Sequence, residues 1–144
     1  MADLGLTSIG HVAIRARDLE GAVAFYTEKL GLAEMFRLNQ DDGSLMLVYL
    51  RLTDNQYIEI FPNGIGETPA RNAVGFTHLC LTVSDLAATV ATLEATGVTI
   101  DVALKTGKDG NRQAWISDPE GNRIELMEMS PTSLQAQAIA RLKG

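Results

Sequence analysis

The stretch that decides the fold is Gly10-His11-Val12-Ala13-Ile14-Arg15-Ala16-Arg17-Asp18-Leu19. It recurs later in the chain as Thr77-His78-Leu79-Cys80-Leu81-Thr82-Val83-Ser84-Asp85-Leu86. In each stretch one of the chain's 2 histidines stands at the head of an apolar, strand-like run, and an Asp-Leu pair begins seven residues further on. Such an internal repeat predicts two copies of one structural module.

Each Asp-Leu pair opens a helical pattern of apolar residues. Asp18 and Asp85 are predicted to be N-caps, and Gly31 and Gly97 lie just beyond the predicted helix ends. Strand-like runs follow each helix, at residues 45–52 and 57–61 in the first half and at residues 98–102, 113–116 and 123–127 in the second. Each half is therefore predicted to be a βαβββ module.

A Gly/Pro-rich linker at residues 62–69 separates the two halves. The predicted fold class is α+β: two tandem βαβββ modules, residues 1–64 and 65–129, form a concave mixed sheet around a metal cleft in what is overall a single domain. A C-terminal helix over residues 130–144 is predicted to begin with Ser130 as its cap and Pro131 at its first position. Its apolar side is expected to pack on the body of the protein or on a partner chain.

Composition limits the classes of function that this chain can have. It is 46% hydrophobic and 21% charged, as is ordinary for a soluble globular protein, and its net charge of -6 argues against nucleic acid or an anionic membrane as a partner. No apolar run approaches the ~20 residues of a membrane span, and the N-terminus lacks the features of a secretory signal. Because the single Cys80 cannot form an internal disulfide, a reducing compartment fits, and we expect a cytoplasmic protein.

Two glutamates keep nearly the same interval to the histidines. Glu59 follows His11 by 59 − 11 = 48 residues, and Glu125 follows His78 by 125 − 78 = 47 residues. Strand alternation places each glutamate opposite its large aliphatic neighbours, on the face that the histidine shares. Ionised glutamates on the inner face of a sheet would repel each other and lose hydration, and a divalent cation relieves both costs.

These four side chains are therefore predicted to ligate one divalent metal ion. Two imidazoles and two carboxylates suit Ni²⁺, Co²⁺, Mn²⁺, Fe²⁺ or Zn²⁺, and the donor types do not choose among these metals.

The paired modules, the two His-x-x-x-x-x-x-Asp-Leu openings and the ending Asp118-Pro119-Glu120-Gly121-Asn122-Arg123-Ile124-Glu125-Leu126 resemble the vicinal oxygen chelate superfamily. This superfamily includes glyoxalase I, methylmalonyl-CoA epimerase, extradiol dioxygenases, and fosfomycin- and bleomycin-resistance proteins. The resemblance extends from about residue 8 to residue 129. The set His11, Glu59, His78 and Glu125 is most similar to that of bacterial glyoxalase I, in which the four residues ligate a metal, often Ni²⁺ or Co²⁺.

The resemblance implies a metal-dependent lyase or isomerase similar to lactoylglutathione lyase. In such an enzyme the metal binds two adjacent oxygens of a small-molecule substrate and stabilises an enediolate, while a glutamate moves the proton. Glu125 is the first choice for this catalytic role, and Glu59 is the other candidate. Arg15 and Asn63 correspond to substrate-binding residues, with a glutathione hemithioacetal as one candidate substrate. The resemblance also implies a homodimer.

Three alternatives stay open at the level of the sequence. An epimerase would use the same site with a different substrate. An extradiol dioxygenase is less favoured, because it needs open metal positions and usually a further histidine. A metal-free binding protein of the resistance type would have no reason to retain four ligand-type residues. The choice of metal, the use of glutathione and the sharing of a site across a dimer also stay open.

Overall fold

The computed structural model describes residues 4–143 of the chain. These residues divide into two compact units, the first ending at Gly66 and the second beginning at Glu67. The division falls two residues after the boundary that the sequence predicts. Within residues 4–143, no helix has both the length and the apolar character needed to cross a membrane.

The first unit is a four-stranded mixed sheet with one helical connection. Its elements are β1 (His11–Arg15), α1 (Leu19–Ala24) with a π-helical continuation (Phe25–Lys29), β2 (Ala33–Asn39), β3 (Leu45–Thr53) and β4 (Gln56–Phe61). The strand order is β1-β4-β3-β2, with β1 parallel to β4 and the other pairs antiparallel. Asp18 caps α1 by accepting a hydrogen bond from the Gly21 amide at 3.0 Å, and the chain leaves the helical segment through Gly31 at φ 76°.

The second unit repeats this arrangement. Its elements are β5 (Leu79–Thr82), α2 (Leu86–Ala95), β6 (Val102–Thr106), β7 (Arg112–Ser117), β8 (Arg123–Glu128) and α3 (Leu134–Lys143). The strand order is β5-β8-β7-β6, again with the first pair parallel. Asp85 caps α2 through the Ala88 amide at 2.9 Å, and Gly97 ends the helix at φ 82°. The predicted fold class of two βαβββ modules is confirmed.

Strand alternation separates a buried and a more open face in each sheet. In β1 the side chains of His11, Ala13 and Arg15 are exposed, and those of Val12 and Ile14 are more buried. The buried cores are made by Val48, Leu50, Ile58 and Ile60 in the first unit and by Ala114, Ile116, Ile124 and Leu126 in the second. The face that carries the histidines is therefore not the face that builds the core.

Two strand assignments differ from the sequence prediction. The predicted strand at residues 98–102 is wrong, because β6 begins only at Val102. Val98 still donates to the carbonyl of Leu93 at 2.9 Å as the chain leaves α2, so residues 98–101 are a connection. The first unit also contains β2, which the apolar pattern does not predict. It lies at the edge of its sheet, and all seven of its residues are exposed, so it has no buried face to create an apolar alternation.

The C-terminal helix begins later than the sequence predicts. Ser133 is the residue that caps α3, because its hydroxyl accepts a hydrogen bond from the Ala136 amide at 3.1 Å. Ser130 instead forms a turn in which its carbonyl accepts from the Ser133 amide at 3.1 Å. The described residues of α3 include none that is buried, so the predicted packing of its apolar side on the body of the protein is wrong. Packing on a partner chain stays a prediction.

Candidate metal centre

The first unit brings His11 and Glu59 together on neighbouring parallel strands. Ala13 of β1 is the register partner of Glu59 in β4, which places His11 one pleat away on the same face. The His11 Nε2 atom lies 3.6 Å from Oε2 of Glu59. The His11 side chain is 50% exposed, whereas that of Glu59 is only 7% exposed. This unit therefore holds a buried carboxylate beside an open imidazole.

Tyr49 is the second polar neighbour of Glu59. It lies directly opposite Glu59 in the antiparallel pair of β3 and β4. The pKa of the Tyr49 hydroxyl is raised above its ordinary value, because the Glu59 carboxylate favours the protonated phenol both as an acceptor and as a negative charge. The Tyr49 ring stacks on Phe36, with centroids 4.6 Å apart and planes 27° apart. Glu59 thus has a phenol opposite it on β3 as well as the imidazole from β1.

The second unit brings His78 and Glu125 together in the corresponding place. His78 immediately precedes β5, whose Cys80 is the register partner of Glu125 in β8. The His78 Nε2 atom lies 3.1 Å from Oε2 of Glu125. The two side chains are 30% and 17% exposed, respectively. The duplicated interval in the sequence thus corresponds to a duplicated pair of side chains.

The imidazole of His78 is oriented by two neighbours. Its Nδ1 atom lies 2.7 Å from the Thr77 hydroxyl, and its ring packs edge-on against Trp115 with centroids 4.7 Å apart. In the tautomer that carries its proton on Nδ1, the ring donates to Thr77 and leaves the Nε2 lone pair free for a metal ion. In the first unit the residue before His11 is Gly10, which has no side chain to do the same.

Cys80 is the neighbour of Glu125 on β5. Desolvation raises the pKa of the Cys80 thiol to about 11, and the negative charge of Glu125 and a hydrogen bond to it add to the shift. The thiol is therefore protonated at neutral pH and can act only as a weak donor to the carboxylate.

The two predicted substrate-binding residues lie at the other end of β1 and β4. The Arg15 guanidinium donates to the carbonyl of Pro62 at 2.8 Å and lies 5.2 Å from the centre of the Phe61 ring. Asn63 has φ 62°, the left-handed conformation that asparagine tolerates better than most residues. Both residues therefore have a structural reason to be where they are, and their contact with substrate stays a prediction.

Sequence analysis assigned no role in the site to four neighbours of the two pairs, namely Tyr49, Thr77, Cys80 and Trp115. A signal for two of them exists in the sequence. Tyr49 precedes Glu59 by ten residues, and Trp115 precedes Glu125 by ten residues. Since β3–β4 and β7–β8 are both antiparallel, this interval places an aromatic side chain opposite each glutamate. A search of the repeat for matched aromatic positions would have found both.

The donor types in each unit fit a divalent transition metal. Each pair offers one imidazole nitrogen and one carboxylate oxygen, the ligands that Ni²⁺, Co²⁺, Mn²⁺, Fe²⁺ and Zn²⁺ accept in proteins. Among residues 4–143, no group of three or more histidine, cysteine, aspartate or glutamate side chains is gathered so that it could hold a metal ion. The structure thus describes two pairs of candidate ligands, and the four-ligand centre stays a prediction.

The chain belongs to the glyoxalase/bleomycin resistance protein/dioxygenase superfamily. The model of this family matches residues 8–126, which include both His–Glu pairs. The family assignment made from the sequence is therefore confirmed.

Three relatives show where the chain lies within this superfamily. It is 35% identical to the uncharacterized protein YaeR of Escherichia coli over 133 residues, which cover 87% of this chain and 98% of YaeR. It is 26% identical to the lactoylglutathione lyase of Pseudomonas aeruginosa in an alignment of 148 positions. This alignment covers 83% of this chain and 81% of the lyase. The crystal structure of a glyoxalase family protein from Enterococcus faecalis matches with a TM-score of 0.76 and 27% identity, covering 87% of this chain and all of the other.

Proposed function

We propose that this protein is a metal-dependent lyase or isomerase of the glyoxalase I type. The observation that carries the proposal is the duplicated pair, in which an imidazole Nε2 lies 3.6 Å or 3.1 Å from a glutamate oxygen at the same place in each sheet. His11, Glu59, His78 and Glu125 together ligate one divalent metal ion. The likeness to lactoylglutathione lyases supports this activity.

The two glutamates have different roles in this proposal. When bound, the metal supplies a Lewis acid that polarises a substrate carbonyl. Glu59 serves as a fixed ligand, because its side chain is only 7% exposed. Glu125 is the general base, because it is the more exposed of the two and its neighbour on β5 is only a thiol.

The substrate class is a compound with two adjacent oxygens, and a glutathione hemithioacetal is the first candidate. Glu125 removes the proton from the sulfur-bearing carbon and returns it to the adjacent carbon, while a hydroxyl proton moves between the two oxygens. The product is a thioester of a hydroxy acid, and the reaction requires no electron donor or acceptor. Arg15 and Asn63 bind the distal part of the substrate, and the enzyme acts in the cytoplasm as a homodimer.

The test is proton exchange with methylglyoxal and glutathione in D₂O. The protein, supplied in turn with Ni²⁺, Co²⁺, Mn²⁺ and Zn²⁺, is expected to form the thioester with at least one metal and to introduce deuterium at the hydroxyl-bearing carbon, as measured by NMR. Glu125→Gln should lower turnover by about 10³-fold, the range of a general base, and retain metal. Glu59→Gln should instead lower metal affinity by more than about 100-fold.

Glu94→Gln is the matched control, because Glu94 is exposed on α2. Absence of both product and deuterium exchange with every metal would contradict the glyoxalase assignment. Exchange with inversion at the carbon next to a carbonyl, without thioester formation, would identify an epimerase. Oxygen consumption with Fe²⁺ and a catechol would identify a dioxygenase.

A further inference from the structure

Arg123 and Trp115 form a cation–π stack on the face of the second sheet that carries Glu125. Arg123 precedes Glu125 by two residues in β8, so strand alternation places both side chains on one face. Trp115 of β7 lies directly opposite Glu125. The guanidinium carbon of Arg123 lies 4.4 Å from the centre of the Trp115 ring. At this distance a cation is attracted to the face of an indole.

The stack is in contact with the second pair of candidate ligands. The Trp115 ring packs edge-on against His78, with centroids 4.7 Å apart, and the His78 Nε2 atom lies 3.1 Å from Oε2 of Glu125. The Nε1–H of Trp115 donates to Oε1 of Gln113 at 2.7 Å, and this hydrogen bond restrains the indole. A ligand group bound by Arg123 would therefore lie beside the His78–Glu125 pair.

The guanidinium of Arg123 has no oxygen acceptor among residues 4–143. The other arginines of the strands each donate to a carbonyl or carboxylate oxygen, namely Arg15, Arg37, Arg51 and Arg112. A guanidinium carries five N–H donors in a planar fork that matches the two oxygens of a carboxylate. The donors of Arg123 are thus available to a ligand.

The first unit has a neutral residue at the corresponding position. Tyr57 precedes Glu59 by two residues and so corresponds to Arg123. The Tyr57 ring approaches that of Tyr49, with centroids 6.4 Å apart, and its hydroxyl donates to the carbonyl of Asp54. Since the same βαβββ fold forms with a neutral phenol here, the fold itself does not require a cation at this position.

We propose that Arg123, stacked on Trp115, is a specificity-determining residue that binds a carboxylate group of the substrate. This inference rests on the proposed function for the reaction, and on the stack, the register and the available guanidinium donors for its geometry. A ligand carboxylate beside Glu125 would meet a like charge, and the Arg123 cation offsets that repulsion. The carboxylate belongs either to the thiol part of a hemithioacetal or to the oxo compound itself.

The experiment follows the fluorescence of Trp115, the single tryptophan of the chain, in the metal-free protein. S-methylglutathione and its diethyl ester test the thiol part, and pyruvate and methyl pyruvate test the oxo compound. At least one acid is expected to bind about 10-fold more tightly than its ester, because a charged hydrogen bond is lost in the ester. Arg123→Met should lower the affinity for that acid about 10-fold and leave the affinity for the ester unchanged. Arg123→Lys should fall between the two, since it keeps the charge and loses the planar fork.

Arg141→Met is the matched control, because it removes the same charge from an exposed position on α3 of the same unit. It should bind both acids as the wild type does, and circular dichroism reports whether each variant is folded. In the metal-loaded enzyme, Arg123→Met should raise KM for the hemithioacetal with little change in kcat, provided that the thiol part carries the carboxylate. Such a contact is equally strong in the ground state and the transition state.

The outcomes separate this inference from the proposed function. If no metal supports thioester formation, the proposed function fails, and Arg123-dependent binding of either acid still supports the role of Arg123. If neither acid binds more tightly than its ester, or if Arg123→Met binds the acid as the wild type does, the inference is overturned. An equal loss of affinity in Arg141→Met would also overturn it, because net charge rather than the stacked guanidinium would then attract the acid.

Discussion

In the first unit Glu59 is almost fully buried and lies opposite Tyr49, while its partner His11 is half-exposed. In the second unit the contacts are on the histidine: the Thr77 hydroxyl lies within hydrogen-bond distance of its Nδ1 atom, and Trp115 packs against its ring. Glu125 is more exposed than Glu59. Both units pair a histidine with a glutamate. In the first unit the glutamate is the more enclosed of the two, whereas in the second unit the histidine has the additional contacts.

This contrast separates what a repeated fold preserves from what it does not. The distance along the chain from histidine to glutamate puts the histidine at the start of the first strand of a βαβββ module and the glutamate on the last strand, so both modules juxtapose the same two donors. The surroundings of each donor depend on single residues of adjacent strands. For example, Tyr49 lies opposite Glu59 in the first unit, and Trp115 lies opposite Glu125 in the second. One module can therefore supply a buried glutamate and the other a more open one without any change of fold.

The largest expected effect concerns the thiol beside Glu125. A pKa of about 11 leaves Cys80 protonated at pH 8, so its alkylation by iodoacetamide should be about 100-fold slower than that of an unstructured cysteine. The rate should rise about tenfold for each pH unit up to about pH 11, because only the thiolate reacts. Glu125→Gln removes a negative charge, and we expect it to lower the pKa and to increase the rate at pH 8.

Glu94→Gln, on the exposed side of α2, serves as the control for this change of charge. Equal alkylation rates in wild type and Glu125→Gln would mean that the Glu125 charge does not act on the thiol. The effect of Glu125 on the neighbouring thiol would then no longer distinguish the surroundings of Glu125 from those of Glu59.

A smaller effect is expected from the orienting residue of His78. Thr77→Val removes the hydroxyl that lies 2.7 Å from Nδ1, and we expect affinity for Ni²⁺ or Co²⁺ to fall about 10-fold in a chelator competition. Thr77→Ser keeps the hydroxyl and should restore most of the affinity. Thr92→Val is the control, because the Thr92 hydroxyl donates to the carbonyl of Ala88 within α2. Unchanged metal affinity in Thr77→Val would show that His78 needs no such support.

The smallest effect should be the same in both units. Asp18→Ala and Asp85→Ala each remove an N-cap hydrogen bond of 3.0 Å or 2.9 Å, and each should lower the free energy of unfolding by about 1 kcal/mol. Urea denaturation measures both values, with Asp41→Ala in an exposed loop as the control. A clear inequality between the two caps would show that the units differ in their helices as well as in their donor pairs.

Most of the fold could be predicted from the sequence, because it rests on local signals that occur twice. The structure confirms the caps Asp18 and Asp85, the exits Gly31 and Gly97, and every predicted strand run except that at residues 98–102. The predictions failed where local signals are weak. β2 is an edge strand with every residue exposed, and β6 starts later because the chain first completes its exit from α2. The start of α3 depends on which of two nearby serines accepts a hydrogen bond from the helix.

The sequence by itself determined the two modules and the chemical identity of the candidate ligands. Residue type, strand alternation and the repeated interval are properties of the chain alone, and they are enough to pair His11 with Glu59 and His78 with Glu125. Only the tertiary structure decided how each donor is held. The register of β3 against β4 places Tyr49 opposite the buried Glu59, whereas Trp115, opposite Glu125, donates a hydrogen bond to Gln113 and packs against His78. Hydrogen bonding and burial depend on side chains distant in sequence, and these become neighbours only when the sheet forms.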